Sequence, residues 1–448
     1  MPSNGNRGHI LMIPFPASGH LLPHMDLTHQ LLLGGLTVTI MVTPKNLHYL
    51  NPLLSLHSSS NNLQTLVLPF PSHSSIPIGV ENLQQLFISF APDFVAALSK
   101  LHDPLFQWFQ THPSPPVAII SDMLLCSWTN RLASQLNIPN ISFIVINAKA
   151  VASWWVNLQL LPECAIESPL TCMRSWGVIF NSFAELDSKS LKVLGEAFIK
   201  HDRIWSVGPL LPIKAISNGP NERGGQSSIP QDQVVAWLDS CPVENSVVYV
   251  GFGTQITLTK QQMKAVASAL EESGVRFIWV VKDPMKGTLH HEADDQSVVP
   301  MGFEDRVAGR GLVINGWAPQ LAILGHRAVG SYLTHCGWNS TLEAILAGVL
   351  LLAWPMQVDH FENTRLLVDE LGVAIRVCEG LETVPDAMKL AWIFSESVGM
   401  ARPERDRAKK LRESAFDAIK EGGSSFEALE RLVEQLSSLS NKINKEHQ

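Results

Sequence analysis

HILMIPFPASGHLLPHMDLTHQLLLGGLTVTIMVT, residues 9–43, is the stretch that decides the fold. Two β-rich runs, HILMIPF (9–15) and TVTIMVT (37–43), enclose the helical stretch LLPHMDLTHQLLL (21–33). Continuous rather than alternating apolar runs suit parallel strands covered on both faces, and a helix between them supplies the crossover. The same alternation continues outward through LQTLVLP (63–69), VAIISD (117–122), ISFIVIN (141–147) and GVIFNSF (177–183). It then starts afresh with SVVYVGFG (246–253), the helical KQQMKAVASALEE (260–272) and RFIWVVK (276–282). GLVINGW (311–317), VGSYLTH (329–335), LLLAWP (350–355) and VAIRVC (373–378) complete the second set. A repeated β–α alternation predicts an α/β protein with two Rossmann-like, doubly wound parallel-sheet domains.

The expected boundaries are 1–207 for the first domain and 246–425 for the second. Between them, 208–245 is rich in Gly, Pro, Ser and Asn, a linker signature. A carboxyl-terminal helix, FEALERLVEQLSSL, and a polar tail occupy 426–448. Residues 283–302 read as a surface loop, in which His290, His291 and Glu292 are solvated rather than metal-bound.

At 448 residues the chain buries enough surface to need no covalent staples. Lys and Arg number 33 against 41 Asp and Glu, a formal charge of −8, which argues against nucleic acid or an anionic membrane as partner. Six scattered cysteines (Cys126, Cys164, Cys172, Cys241, Cys336, Cys378) form neither a disulfide framework nor a zinc motif, so buried free thiols are expected. The amino terminus has too short an apolar run for a secretory signal, and no stretch approaches the ~20 apolar residues of a membrane span. A soluble, cytoplasmic monomer is expected.

Ligands of doubly wound domains bind outside the carboxyl ends of the strands. The most informative loop sequence is WAPQLAILGHRAVGSYLTHCGWNSTLEAILAGVLLLAWPMQVDH, residues 317–360. With WAPQ, THCGWNS, a Glu three residues on and a closing acidic residue, it resembles the donor signature of the plant family 1 glycosyltransferases. Those enzymes use UDP-sugars and have the two-domain GT-B fold, with donor and acceptor meeting in a cleft. The resemblance places Trp317, Ala318, Gln320, His335, Gly337, Trp338, Asn339, Ser340, Glu343, Asp359 and His360 at the donor.

The residue types fit that chemistry. Trp317 offers a flat face to uracil, the plain alternative being a core tryptophan. THCGWNS runs into the helix STLEAILA, whose amino-terminal N–H groups and dipole suit a diphosphate. Ser340 is a phosphate donor or a helix N-cap, and Glu343 accepts from the ribose hydroxyls or is a surface carboxylate. GFGT (251–254) contributes Thr254 as a further phosphate contact by the family pattern.

PFPASGHLLP (14–23) places His20 after a glycine turn at the start of a helix, where the dipole favours the neutral imidazole. By the family pattern His20 takes the acceptor's proton and Asp122, ending VAIISD, orients it; His24 and His29 are structural or exposed. Ser18 and Gly19 in the same turn are assigned to the donor. Phe15, Met123, Asn147, Trp154 and Trp155 are assigned to the acceptor side, with core packing the alternative for the four apolar residues.

Two departures bear on the sugar. The signature closes on Asp359–His360 where glucose users of the family end in Gln, and Asn147 stands where many have Thr or Ser near the sugar's 6-hydroxyl. Imidazole offers the sugar hydroxyls a different geometry from the Gln amide, and loss of the usual partner of the 6-hydroxyl at Asn147 is consistent with a 6-deoxy sugar such as rhamnose. With FPSHSSIPIGVENLQQL (70–86), ALSKLHDPL (97–105), IWSVGPLLP (204–212), GGQSSIP (224–230) and AWLDSCP (236–242), the whole chain is similar to the flavonol 7-O-rhamnosyltransferases. That resemblance implies inverting transfer from UDP-rhamnose to a phenolic hydroxyl, with no resident cofactor and, lacking an Asp-x-Asp pair, no metal. UDP-glucose as donor, or sugar-nucleotide binding without catalysis, are the alternatives. A nicotinamide dehydrogenase would need a G-x-G-x-x-G turn, and a serine hydrolase a G-x-S-x-G elbow; neither is present.

Overall fold

The computed structural model describes residues 8–156, 171–172, 174–199, 201–210, 228–282, 299–399 and 402–446. Two compact units emerge: Met1–Leu210 with Asp417–Gln448, and Leu211–Phe416.

In the first unit, β1 (His9–Ile13), β2 (Thr37–Val42), β3 (Leu63–Val67), β4 (Ala118–Asp122), β5 (Asn140–Ile144), β6 (Gly177–Phe180) and β7 (Ile204–Ser206) form one sheet of order β3-β2-β1-β4-β5-β6-β7. Every pairing is parallel. β1, β4, β5 and β6 are buried along their whole length, which is why their sequences read as unbroken apolar runs. β7 escaped the sequence pattern: only three residues long, it lies at the sheet edge beside β6.

The second unit repeats the plan with β8 (Val247–Gly251), β9 (Arg276–Val281), β10 (Gly311–Asn315), β11 (Val329–Thr334), β12 (Leu350–Ala353) and β13 (Ala374–Arg376), in the order β10-β9-β8-β11-β12-β13. The helix Lys260–Ser273 between β8 and β9 is fenced by local chemistry. Thr259 and Gln262 close a capping box at its start, and Gly274 ends it in the left-handed conformation.

The division differs from the expected boundaries at two places. The carboxyl-terminal helix Ser424–Glu446 returns to the first unit, inserting Ala428, Leu432 and Leu436 beside Leu27, Leu31 and Trp205. That i, i+4, i+8 stripe would otherwise lie exposed. Within the expected linker, the helix Gln231–Asp239 buries Val234 and Leu238 in the second unit. Residues 211–227 and 283–298, with the His290–His291–Glu292 group, lie outside the described residues. No helix among those described is long and apolar enough to cross a membrane. Cys126, Cys172, Cys241 and Cys336 are buried free thiols and Cys378 is partly buried; Cys164 is outside the described residues.

In each sheet the chain winds one way from its first strand and then the other. The switch lies between β1 and β4 in the first unit and between β8 and β11 in the second. The loops that follow those four strands carry most of the residues singled out above.

Candidate active site

After β1 the chain turns at Phe15–Ala17 and enters the helix Ser18–Leu33, placing His20 in the first turn. The His20 Nδ1–H donates to Asp122 Oδ2 at 2.7 Å, which leaves Nε2 as the basic nitrogen. Asp122 is fully buried while the His20 side chain is 22% exposed, so the pair has a hidden anchor and an accessible tip. Burial alone would push the Asp122 carboxyl up. The His20 interaction, His24 and the Leu124 N–H, which donates to Oδ1 at 2.9 Å, outweigh it and hold the carboxyl below its ordinary value.

His24 braces this pair from below. Its Nδ1–H donates to the His20 carbonyl at 2.7 Å, Nδ1 lies 3.9 Å from Asp122 Oδ2, and the ring packs edge-on against Phe143. Burial brings its pKa down to about 4, so it is neutral near pH 7. His29 pairs instead with His57 at 2.8 Å.

The other residues assigned to this unit divide. Phe15 lies against the His20 ring, with centroids 5.3 Å apart, and also packs on Phe94. Met123 directly follows Asp122 and is buried. Trp154 is partly buried, whereas Trp155 is core, edge-on to Phe198. Asn147 is fully buried, and its Oδ1 accepts from the Ala150 N–H at 2.5 Å. Its side-chain oxygen thus serves the start of the helix Ala148–Val156. Ser18 was assigned to the donor, yet its buried hydroxyl is engaged by Tyr49 at 2.7 Å and by Gln84. Gly19 is exposed.

In the second unit Trp317 follows β10 and is partly exposed; Ala318 is buried. Gln320 is a hub. Its Oε1 accepts from the stacked phenols Tyr249 (3.1 Å) and Tyr332 (3.0 Å), which forces its amide N–H groups toward Glu343 (2.6 Å) and Ser340 (3.3 Å). Sequence reading placed Gln320, Ser340 and Glu343 together but missed the two tyrosines, which sit inside strands as ordinary aromatic β residues.

The helix Trp338–Ala347 begins at Gly337 with no side-chain cap. Ser340 therefore sits inside the first turn rather than capping it, and Trp338 is buried while Asn339 is partly exposed. His335 is wedged among glycines: a Cβ on Gly253 would stand 2.6 Å from its Cε1, and one on Gly337 would stand 2.5 Å from its Nε2. Gly253 also has φ +65°, where a side chain strains. Burial, reinforced by His360, holds the His335 pKa well below normal.

The His360 ring stands perpendicular to that of His335, with centroids 4.7 Å apart. Burial lowers its pKa to about 3, and its Nδ1 accepts from the Gln357 N–H at 3.3 Å, which leaves Nε2 as the N–H nitrogen. Asp359 precedes the helix His360–Thr364 without capping it through its side chain. Its carboxylate accepts instead from Asn363 Nδ2 at 2.7 Å, and the same amide reaches the Cys336 carbonyl at 2.8 Å. Asn363, absent from the sequence reading, thereby ties the last loop of the signature to the THCGWNS turn. Thr254 is partly buried, and its carbonyl accepts from Lys282 Nζ at 2.6 Å. Among the described residues no group of three or more His, Cys, Asp or Glu side chains is placed to hold a metal.

Two parallel, doubly wound sheets, each with its own switch point, are the GT-B fold. Residues 227–386 match the family model described as UDP-glucoronosyl and UDP-glucosyl transferase, and the chain belongs to that family of UDP-glycosyltransferases. It is 52% identical to a flavonol 7-O-rhamnosyltransferase of Arabidopsis thaliana, over 96% of this chain and 98% of the relative. It is 44% identical to the flavonol 3-O-glucosyltransferase UGT89B1 of the same plant, over 96% of each. Among solved structures, Arabidopsis thaliana UGT89C1 in complex with UDP-L-rhamnose superposes with a TM-score of 0.88 at 50% identity, covering 97% of this chain and all of that one. The same protein has been solved with quercetin (TM-score 0.85, 49% identity, 96% and 99% covered).

Proposed function

We propose that this enzyme transfers rhamnose from UDP-rhamnose to a phenolic hydroxyl of a flavonol, the 7-hydroxyl, with inversion at the anomeric carbon. The observation that carries the chemistry is the His20–Asp122 pair: an accessible imidazole whose Nδ1–H is committed to a buried carboxylate. His20 Nε2 takes the phenolic proton as the oxygen attacks the anomeric carbon. The bond from that carbon to the phosphate oxygen breaks, and its electron pair leaves with UDP. Asp122 stabilises the imidazolium that forms. From β-linked UDP-L-rhamnose the product is an α-L-rhamnoside. Phenols are acidic enough for a histidine base.

Trp317 and Ala318 are assigned to uracil, Glu343 to the ribose, and His335, Gly337, Asn339, Ser340 and Thr254 to the diphosphate. The Gln320 hub is consistent with neighbouring ribose and diphosphate assignments, because its amide N–H groups hold Glu343 and Ser340 side by side. The rhamnose assignment draws on the 52% identical rhamnosyltransferase and on the donor-only face of His360. A glucosyl reading is favoured by the 44% identical glucosyltransferase.

Competition of UDP-rhamnose against UDP-glucose on a flavonol, with product mass and linkage as the readout, separates the two. Rhamnosyl product at the 7-oxygen is expected; a glucoside as main product overturns the donor assignment. The same assay on His360→Gln is expected to move the product ratio toward glucoside.

A further inference from the structure

β9 ends at Val281, and the next residue, Lys282, has no part in the scheme above. Its side chain is partly buried, and its Nζ donates to the Thr254 carbonyl at 2.6 Å. Burial brings its pKa down to about 8, and no neighbouring charge among the described residues offsets that burial. A cation held away from water is costly unless an anion accompanies it. Among the described residues its Nζ meets one neutral carbonyl and no carboxylate.

The surroundings suit an anionic ligand. Thr254 closes the GFGT loop after β8, Gly253 of that loop backs directly onto His335, and His335 leads into the uncapped start of the helix Trp338–Ala347. Three loops, after the adjacent strands β9, β8 and β11, thus bring an ammonium, a helix amino terminus and a neutral imidazole to the same edge of the sheet. All three can supply hydrogen-bond donors, and an oxyanion is the complementary partner.

We propose that Lys282, resting on the donor site assigned above, is a further donor-binding residue whose ammonium meets the phosphate oxygens of the UDP moiety. In that position it also answers the charge that builds on the departing diphosphate, as a preorganised cation that need not reorient during transfer.

The test is calorimetric titration of the enzyme and of Lys282→Gln and Lys282→Arg with UDP and with uridine. Glutamine keeps a donor for the Thr254 carbonyl but loses the charge. Lys282→Gln is expected to bind UDP about tenfold or more weakly, as loss of a charged hydrogen bond implies, with uridine affinity within about twofold and Lys282→Arg retaining most of the UDP affinity. Unchanged UDP affinity in Lys282→Gln, or equal weakening of UDP and uridine, would show a loop-supporting lysine and overturn the assignment. Failure of the unmodified enzyme to bind UDP would instead remove the donor site itself.

Discussion

The loops after β1 and β4 and those after β8 and β11 occupy the same place in two sheets of the same winding, yet they hold opposite chemistry. The first pair centres on a buried negative charge, Asp122, and uses it to aim a base, His20. The second pair keeps the imidazole of His335 neutral, brings glycine backbone close to it and starts a helix with no side-chain cap. One arrangement suits a proton acceptor, and the other presents the hydrogen-bond donors of a helix start. A doubly wound sheet supplies the position, and a few loop residues decide which charge is welcome there.

The comparison breaks most sharply at His20. His20→Ala is expected to lower product formation by about a thousandfold or more, the range for loss of a positioned base, while UDP affinity measured by titration stays within about twofold. Retained turnover would detach the first unit's pair from the chemistry.

A smaller and mirror-image effect is expected from Gly337→Ala. The added methyl carbon would stand 2.5 Å from His335 Nε2 and must displace that ring or the helix start. UDP affinity should fall by about tenfold, with overpacking costing roughly 1–3 kcal/mol of stability. Titration and a thermal melt read the two parts. Unaltered UDP binding would mean that the close approach at His335 has no bearing on the nucleotide.

The smallest effect is one the two regions share. His24 in the first unit and His360 in the second are buried and neutral, with pKa values brought down to about 4 and about 3. An unfolded histidine takes its proton near pH 6.5, so below that pH the unfolded chain binds protons the folded one refuses. Stability is therefore full above about pH 6.5 and declines as pH falls toward 4. The melting temperature should drop by several degrees between pH 7 and pH 5, and His24→Leu should lessen the slope. A flat profile over that interval would contradict their neutrality in the fold.

Much of this was legible before any coordinates. His20 and Asp122 lie 102 residues apart in sequence; the apolar runs marked the strands that precede His20 and end at Asp122, and the resemblance to the family pattern supplied their expected roles. Strand, turn and helix in 329–347 were legible because neighbours in the chain fix them, and the resemblance to the donor signature singled out residues there. Ser18 and Asn147 were harder. Their place after a strand is local information, but the engagement of Ser18 by Tyr49 and of Asn147 by its helix start is a matter of packing.

By itself, then, the amino-acid order determined two doubly wound sheets and the loops in which proton transfer and nucleotide binding are sought. Both depend on periodicity and turn chemistry within short windows of chain. Only the tertiary structure decided that the terminal helix joins the first unit, that Tyr249 and Tyr332 set the orientation of Gln320, and that Lys282 ends on the Thr254 carbonyl. Those outcomes turn on which distant side chains meet and how much water is excluded around them, quantities that no local pattern of residues carries.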